Sequence, residues 1–295
     1  MTLRSAHIDA DLVRRLVAAQ FPQWAALPIR PVAADGWDNR TFHLGDQMTA
    51  RLPSAEAYSS QVAKEHRWLP ALSRRLPVPI PVPLALGRPG EGYPWNWSVY
   101  AWLNGETART ARIDDARQYA VSLAGFLLAL QRIDASGAPQ PGPHNGYRGG
   151  PLAKYDAETR DAVAVLGDSV DAEAAIGAWQ ASLAAPWDGP PVWLHGDFSP
   201  GNLLVQNGRL SAVIDFGCCA VGDPACDLAI AWTVFNKETR DVFRAALMVD
   251  RDSWLRGRGW ALWKALIVLA GLPGTDPSER KTSLAVLEKV LADQA

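Results

Sequence analysis

The stretch from Val192 to Ala229 constrains this chain most, because it sets acids, glycines and turn formers in a fixed order within one short run. His195-Gly196-Asp197 opens it, Asn202 follows, and Asp215-Phe216-Gly217 closes it. Phe198-Ser199-Pro200-Gly201 reads as a polar, turn-rich loop that returns the chain at Asn202. Leu203-Leu204-Val205 reads as a short strand, Gln206-Asn207-Gly208 as a turn with the Asn-Gly hairpin signal, and Leu210 to Ile214 as the return strand. A hairpin brings its two ends together, so Asn202 and Asp215 are expected side by side with Asp197 close by. Taken singly, each is an ordinary cap or turn residue; together Asn202 and Asp215 are expected to make a two-oxygen clamp for a metal ion, with Asp197 close by.

Transfer of a phosphoryl group needs this division of labour. The reaction is mostly positioning and neutralisation of charge. One carboxylate must face the attacking hydroxyl and accept its proton, while separate hard oxygen donors hold Mg²⁺ against the phosphates. On these motifs the run resembles the core of the aminoglycoside phosphotransferase family, the small-molecule branch of the protein-kinase-like fold. The resemblance implies that Asp197 is the catalytic base, that Asn202 and Asp215 are the magnesium ligands, and that His195 and Asp227 are structural residues at the site. Gly196, where protein kinases usually carry Arg, favours the small-molecule branch. So does the short span from Gly217 to Asp223, which leaves no room for a long activation segment. Asp223 at an N-cap and Pro224 at the first helical position then start a helix.

The resemblance implies an α+β, bilobal architecture. A small β-rich N-terminal lobe, residues 1–103, binds the nucleotide, and a larger, mainly helical C-terminal lobe, residues 104–295, carries catalysis and the acceptor. In the first lobe, His7 to Ala19 reads as a helix, and Pro31 to Asp35, Asn39 to Leu44 and Met48 to Leu52 as strands. The glycine-rich loop of protein kinases is absent. Gly36, Trp37 and Asn39 stand in its place as candidate phosphate-binding residues, with an ordinary hairpin turn as the alternative. Where kinase-like enzymes carry a strand lysine, this chain has Arg51, which keeps the charge but offers a planar fork. Tyr58, Val62, Glu65, Leu69 and Leu72 recur at helical spacing, so Glu65 lies on an apolar stripe and needs a cationic partner. Arg51 is the expected partner; Arg67 or Lys64 is the rival. Pro70 should kink or end that helix.

The first part of the stretch from Pro94 to Glu106 reads as a strand of aromatic and β-branched residues, which Asn104-Gly105 then breaks. This looks like the hinge, at about 98–105, where backbone groups of Ala101 to Leu103 would hold the base. Beyond it the chain reads as helices: Ile113 to Ile133, an acid-rich inserted pair at Tyr155 to Leu166 and Asp171 to Leu183, and the tryptophan-bearing region 230–295.

Bulk properties fit. With 295 residues, 48% hydrophobic content and net charge −2, the chain has ample core and no basic run for nucleic acid. Three cysteines suit a reducing compartment rather than a disulfide framework and read as small buried hydrophobes. The N-terminus carries no apolar signal core and no segment is long enough for a membrane span, so a cytoplasmic location is expected. Residues 1–103 hold 11 Lys and Arg against 8 Asp and Glu, and the rest 18 against 23. That split suits a cationic acceptor. The resemblance thus implies a kinase using ATP (GTP is the alternative) and Mg²⁺ on a small-molecule hydroxyl, with an aminoglycoside-like antibiotic as first expectation. A macrolide, a choline-like alcohol or a sugar metabolite would leave the same motifs. A nucleotide-binding pseudokinase acting through partners is the reading from another class, motivated by Arg51 and the sparse glycines.

Overall fold

The computed structural model describes residues 8–32 and 38–293. These fall into two compact units, one running to Asn104 and including Ala212–Gly217, the other comprising Gly105–Ser211 and Cys218–Ala295. Among the described residues, no helix is long and apolar enough to cross a membrane.

The first unit begins with α1 (Ala10–Gln20), capped by the Asp9 side chain accepting from the Leu12 N–H. Strands β1 (Ile29–Pro31), β2 (Asn39–Leu44) and β3 (Met48–Pro53) follow, then α2 (Glu56–Leu72), β4 (Pro83–Gly87) and β5 (Trp97–Ala101). The strand expected at Pro31 to Asp35 is seen only as far as Pro31; residues 33–35 lie outside the described residues. The five strands form an antiparallel sheet in the order β1-β2-β3-β5-β4.

Side chains alternate across a strand, and this sheet uses both faces differently. Phe42, Leu44, Ala50, Leu52, Trp97 and Val99 join Leu12, Val13, Leu16 and Val17 of α1 in one apolar core. The intervening residues, Arg51 on β3 and Ser98 and Tyr100 on β5, therefore go to the opposite face, toward α2. Pro70 does not end α2, which runs on to Leu72. A proline two residues from the terminus removes one helical hydrogen bond near the frayed end, so the cost is small there.

The second unit opens with the short β6 (Glu106–Thr107) and α3 (Ala116–Gln131), whose N-cap Asp115 accepts from Arg117 and Gln118 N–H. The inserted pair is α4 (Asp156–Leu166) and α5 (Ala172–Ala184). Then come β7 (Val192–Leu194), β8 (Leu203–Gln206), β9 (Arg209–Val213) and β10 (Ala220–Gly222). β10 pairs with β7, and β6, β8 and β9 lie side by side in that order. The chain ends in α6 (Ile230–Val234), α7 (Lys237–Leu247), α8 (Arg251–Ala270) and α9 (Arg280–Ala292).

Helix α8 is the axis of this unit. Its apolar residues run all round, so it is buried among α4, α5 and α9. Gly257 and Gly259 permit the close approach: a Cβ would sit 2.5 Å from Leu228 at the first and 2.6 Å from Leu152 at the second. Trp232, Trp254, Trp260 and Trp263 are all core residues. The Arg256 guanidinium donates to both oxygens of Asp223, at 2.7 and 3.2 Å, and to the Pro186 carbonyl. Asp223 also caps the turn that starts at Pro224, through the Ala225 N–H.

Both partners of that pair are buried, so removing one strands the other. Arg256→Leu should lower unfolding free energy by about 3–5 kcal/mol in urea titration. A loss below about 1 kcal/mol would show that the pair adds little to this unit.

Candidate active site

In the second unit, β7 delivers the chain to His195-Gly196-Asp197. Gly196 has φ +83°, and a Cβ there would lie 2.4 Å from the Cys218 carbonyl oxygen, so only glycine makes this turn. The buried Asp227 carboxylate accepts from the backbone N–H of His195 at 2.7 Å and of Gly196 at 2.8 Å. Burial raises the Asp227 pKa, while His195 and the two N–H donors pull it back toward the charged form. His195 is itself fully buried, and its Nδ1 accepts from the Asp197 N–H at 3.3 Å.

This frame leaves the Asp197 side chain exposed. The turn Pro200–Asn202 brings Asn202 back to it: Asn202 Nδ2 donates to the Asp197 carboxylate and to its backbone carbonyl, both at 2.9 Å. With the amide nitrogen so engaged, Asn202 Oδ1 is left without a partner among the described residues. A free amide oxygen is the kind of hard donor that magnesium takes. Cys218 is partly exposed, Cys219 and Cys226 are buried, and all three are free thiols.

In the first unit, Arg51 bridges two acids. Its Nη1 lies 3.8 Å from Glu65 and its Nη2 3.1 Å from Asp215. The Tyr100 hydroxyl donates to Glu65, and the Arg51 guanidinium lies over the Tyr100 ring at 5.7 Å. Burial works against the Arg51 charge, but Glu65 and Asp215 outweigh it and hold the guanidinium pKa above its ordinary value. Burial also pushes the Glu65 carboxyl up, opposed by Arg51 and the Tyr100 hydrogen bond. Of the rival partners, Arg67 stacks on Trp68, while Lys64 donates to the Gly217 carbonyl and adds a charge interaction with Glu65 that ranks below that of Arg51. Asp215 takes φ +64°, a costly conformation for a residue with a side chain.

Two features here carried no signal in the sequence. Tyr100 sits in an aromatic strand where any ring would pack. Gln61, which donates to Asp38 at 2.9 Å and packs where Gly217 lacks a Cβ, reads as a plain helical polar residue. Asn39 is buried on β2; Gly36 and Trp37 lie outside the described residues. Ala101 ends β5, and the Trp102 N–H is taken by the Gln47 carbonyl at 2.8 Å. Leu103 makes no hydrogen bond among the described residues.

A family model described as "Phosphotransferase enzyme family" matches residues 29–266. The Bacillus subtilis protein YcbJ is 35% identical over 79 residues, which is 26% of this chain and 24% of that one. Homoserine kinase of Gluconobacter oxydans is 31% identical over 135 residues, 44% of this chain and 42% of the enzyme. The chain thus spans less than half the length of these curated relatives. Among solved structures, the GDP and kanamycin complex of APH(2")-IIia superposes with TM-score 0.76 at 20% identity, over 96% of this chain and 99% of that chain. A macrolide 2'-phosphotransferase from Brachybacterium faecium does so with TM-score 0.61 at 23% identity, over 95% and 97%. At these identities the likeness is one of fold.

Asp227→Asn keeps the shape of the carboxylate but turns one acceptor into a donor facing an N–H. A loss of about 1–3 kcal/mol in urea titration is expected, with faster amide exchange at His195 and Gly196. Unchanged exchange at both amides would mean that Asp227 does not hold this turn.

Proposed function

We propose, on the premise that this chain belongs to the phosphotransferase enzyme family, that it transfers the terminal phosphoryl group of a nucleoside triphosphate to a hydroxyl of a small molecule. The observation that carries this reading is the Asp197 carboxylate. It is exposed on a turn that buried Asp227 holds from behind and Asn202 clamps from the side.

In this reading Asp197 orients the acceptor hydroxyl and takes its proton as the oxygen attacks phosphorus. The bond from that phosphorus to the bridging oxygen breaks, and the nucleoside diphosphate leaves. Arg51 steadies the phosphates. Its fork is wide enough to serve Glu65 and Asp215 at once, which a lysine ammonium would do less well. Asn202, through its Oδ1, and Asp215 would hold magnesium, which when bound neutralises phosphate charge. Asn39 is proposed to lie near the phosphates, together with Gly36 and Trp37. The unpaired backbone of Leu103 is the hydrogen-bonding edge offered to the base, next to Ala101. ATP is the expected donor, and GTP is the alternative, supported by the GDP in the kanamycin complex of similar fold.

That complex makes an aminoglycoside the first acceptor to assay. A second reading, an acceptor that carries a carboxylate, is favoured by Arg148, whose Nε and Nη2 have no hydrogen-bond partner among the described residues. The Asp156 carboxylate accepts from the Trp179 indole and from Arg160, and Glu158 accepts from the Trp263 indole at 2.7 Å. Each acid is thus already engaged within the fold, though a neutral indole leaves its charge in place.

The test is consumption of ATP and GTP with Mg²⁺ against aminoglycosides, macrolides, amino alcohols, sugars and hydroxy acids, with Asp197→Asn alongside. Acceptor-dependent turnover should fall by about 10²–10⁴-fold in the variant, with nucleotide binding retained. Nucleotide binding without acceptor-dependent turnover across that panel would overturn this reading in favour of a pseudokinase.

A further inference from the structure

Arg148 lies half-buried in the loop between α3 and α4, over three aromatic rings. Its guanidinium carbon is 4.8 Å from the ring centre of Trp263, 5.3 Å from Trp260 and 5.7 Å from Tyr155. The rings brace one another, with Tyr155 4.3 Å from Trp263 and Trp260 5.7 Å from Trp263. Nη1 is spent on the Gly146 carbonyl at 3.0 Å and the Tyr155 hydroxyl at 2.8 Å. Nε and Nη2 have no hydrogen-bond partner among the described residues, and no carboxylate there forms an ion pair with this guanidinium. The nearby Glu158 is already engaged by Trp263.

The loop is also tied to the catalytic turn. Asn145 Nδ2 donates to the Arg148 carbonyl at 2.9 Å and to the Cys218 carbonyl at 3.3 Å. That Cys218 carbonyl is the one against which Gly196 packs. The next residue, Gly149, accepts from the Asp223 N–H at 2.9 Å and leaves room for Leu194, whose side chain would be 2.4 Å from a Cβ. Arg148 is thus carried on a segment stitched to the residues on either side of the Asp197 turn.

A guanidinium held among three aromatic rings, with its Nε–H and Nη2 donors unspent, is pre-organised for two-point recognition of a carboxylate. Its desolvation is already partly met by the aromatic faces, so an incoming anion finds a fixed positive fork rather than a mobile surface chain. We infer that Arg148, in its cage of Tyr155, Trp260 and Trp263, is an anion-binding subsite that takes a carboxylate of the acceptor. The assignment to the acceptor rests on the phosphoryl-transfer reading above; the anion site itself does not.

The test is a titration of the full-length protein with 4-hydroxybutyrate, followed through the Arg148 Nε–H resonance and assigned by its loss in Arg148→Lys. 1,4-Butanediol, which lacks the charge, and chloride at matched ionic strength are the controls. A saturable shift with 4-hydroxybutyrate, absent with both controls, is expected. Arg148→Lys, which keeps the charge but loses the fork, should weaken the binding about tenfold, read from the Trp263 indole N–H. Near-UV circular dichroism of the variant checks that the aromatic cluster is intact. No shift, or an equal shift with chloride, would overturn the subsite. Saturable binding in a protein that phosphorylates no hydroxy acid but does phosphorylate an uncharged or cationic acceptor would keep the anion site and overturn its role in acceptor binding. Turnover that survives in Arg148→Lys with KM unchanged would do the same.

Discussion

The second unit's site depends on one buried carboxylate. Asp227 sits on the turn that precedes α6, far along the chain from the loop it organises, and takes both backbone N–H groups of the turn before Asp197. An ionised acid in that position is costly unless both oxygens are satisfied, and here they are satisfied by the backbone it must hold. The arrangement turns a desolvation penalty into a geometric constraint. His195 and Gly196 cannot move without orphaning Asp227, so Asp197 is presented on a rigid support while its own side chain stays exposed.

The first unit solves a related problem with strand alternation. A β-strand sends successive side chains to opposite faces, and β3 and β5 use this to build an apolar core with α1 on one side and a polar face toward α2 on the other. Arg51 and Tyr100 share that polar face, and Glu65 meets both. Three groups that would each be unfavourable alone in a buried setting compensate one another, which is why the network tolerates burial. Arg51 spans Glu65 and Asp215 because a guanidinium has donors along two edges; a single ammonium would divide its charge between the two less directionally.

Much of this was legible from residue order. The hairpin signal at Asn207-Gly208, the N-cap at Asp223 and the helical stripe through Glu65 are local rules that act over a few residues, and the elements form where those rules place them. Other features were not legible. Tyr100 reads as one aromatic among many until the strand register shows which face it takes. Arg256, on a helix that is apolar all round, gives no sign of its partner at Asp223. The acid-rich inserted pair gives no sign in the sequence of what its acids bond, yet Asp156 and Glu158 accept from indoles of α5 and α8. Each of these pairs elements distant in sequence, and no periodicity encodes the choice of partner.

The sequence by itself determined the family, the kinase-like division into a β-rich part and a helical part, and the order of Asp197, Asn202 and Asp215, because those depend on short-range turn, strand and helix chemistry. Tertiary structure alone decided which charges are spent and which are left over. Glu158 accepts from an indole, Arg51 is divided between two acids, and Arg148 is left with its Nε and Nη2 donors unpaired among the described residues, beside three aromatic rings. Whether a charge is available for a ligand depends on what packing has already placed against it, and packing is set by the whole fold rather than by neighbours in the chain.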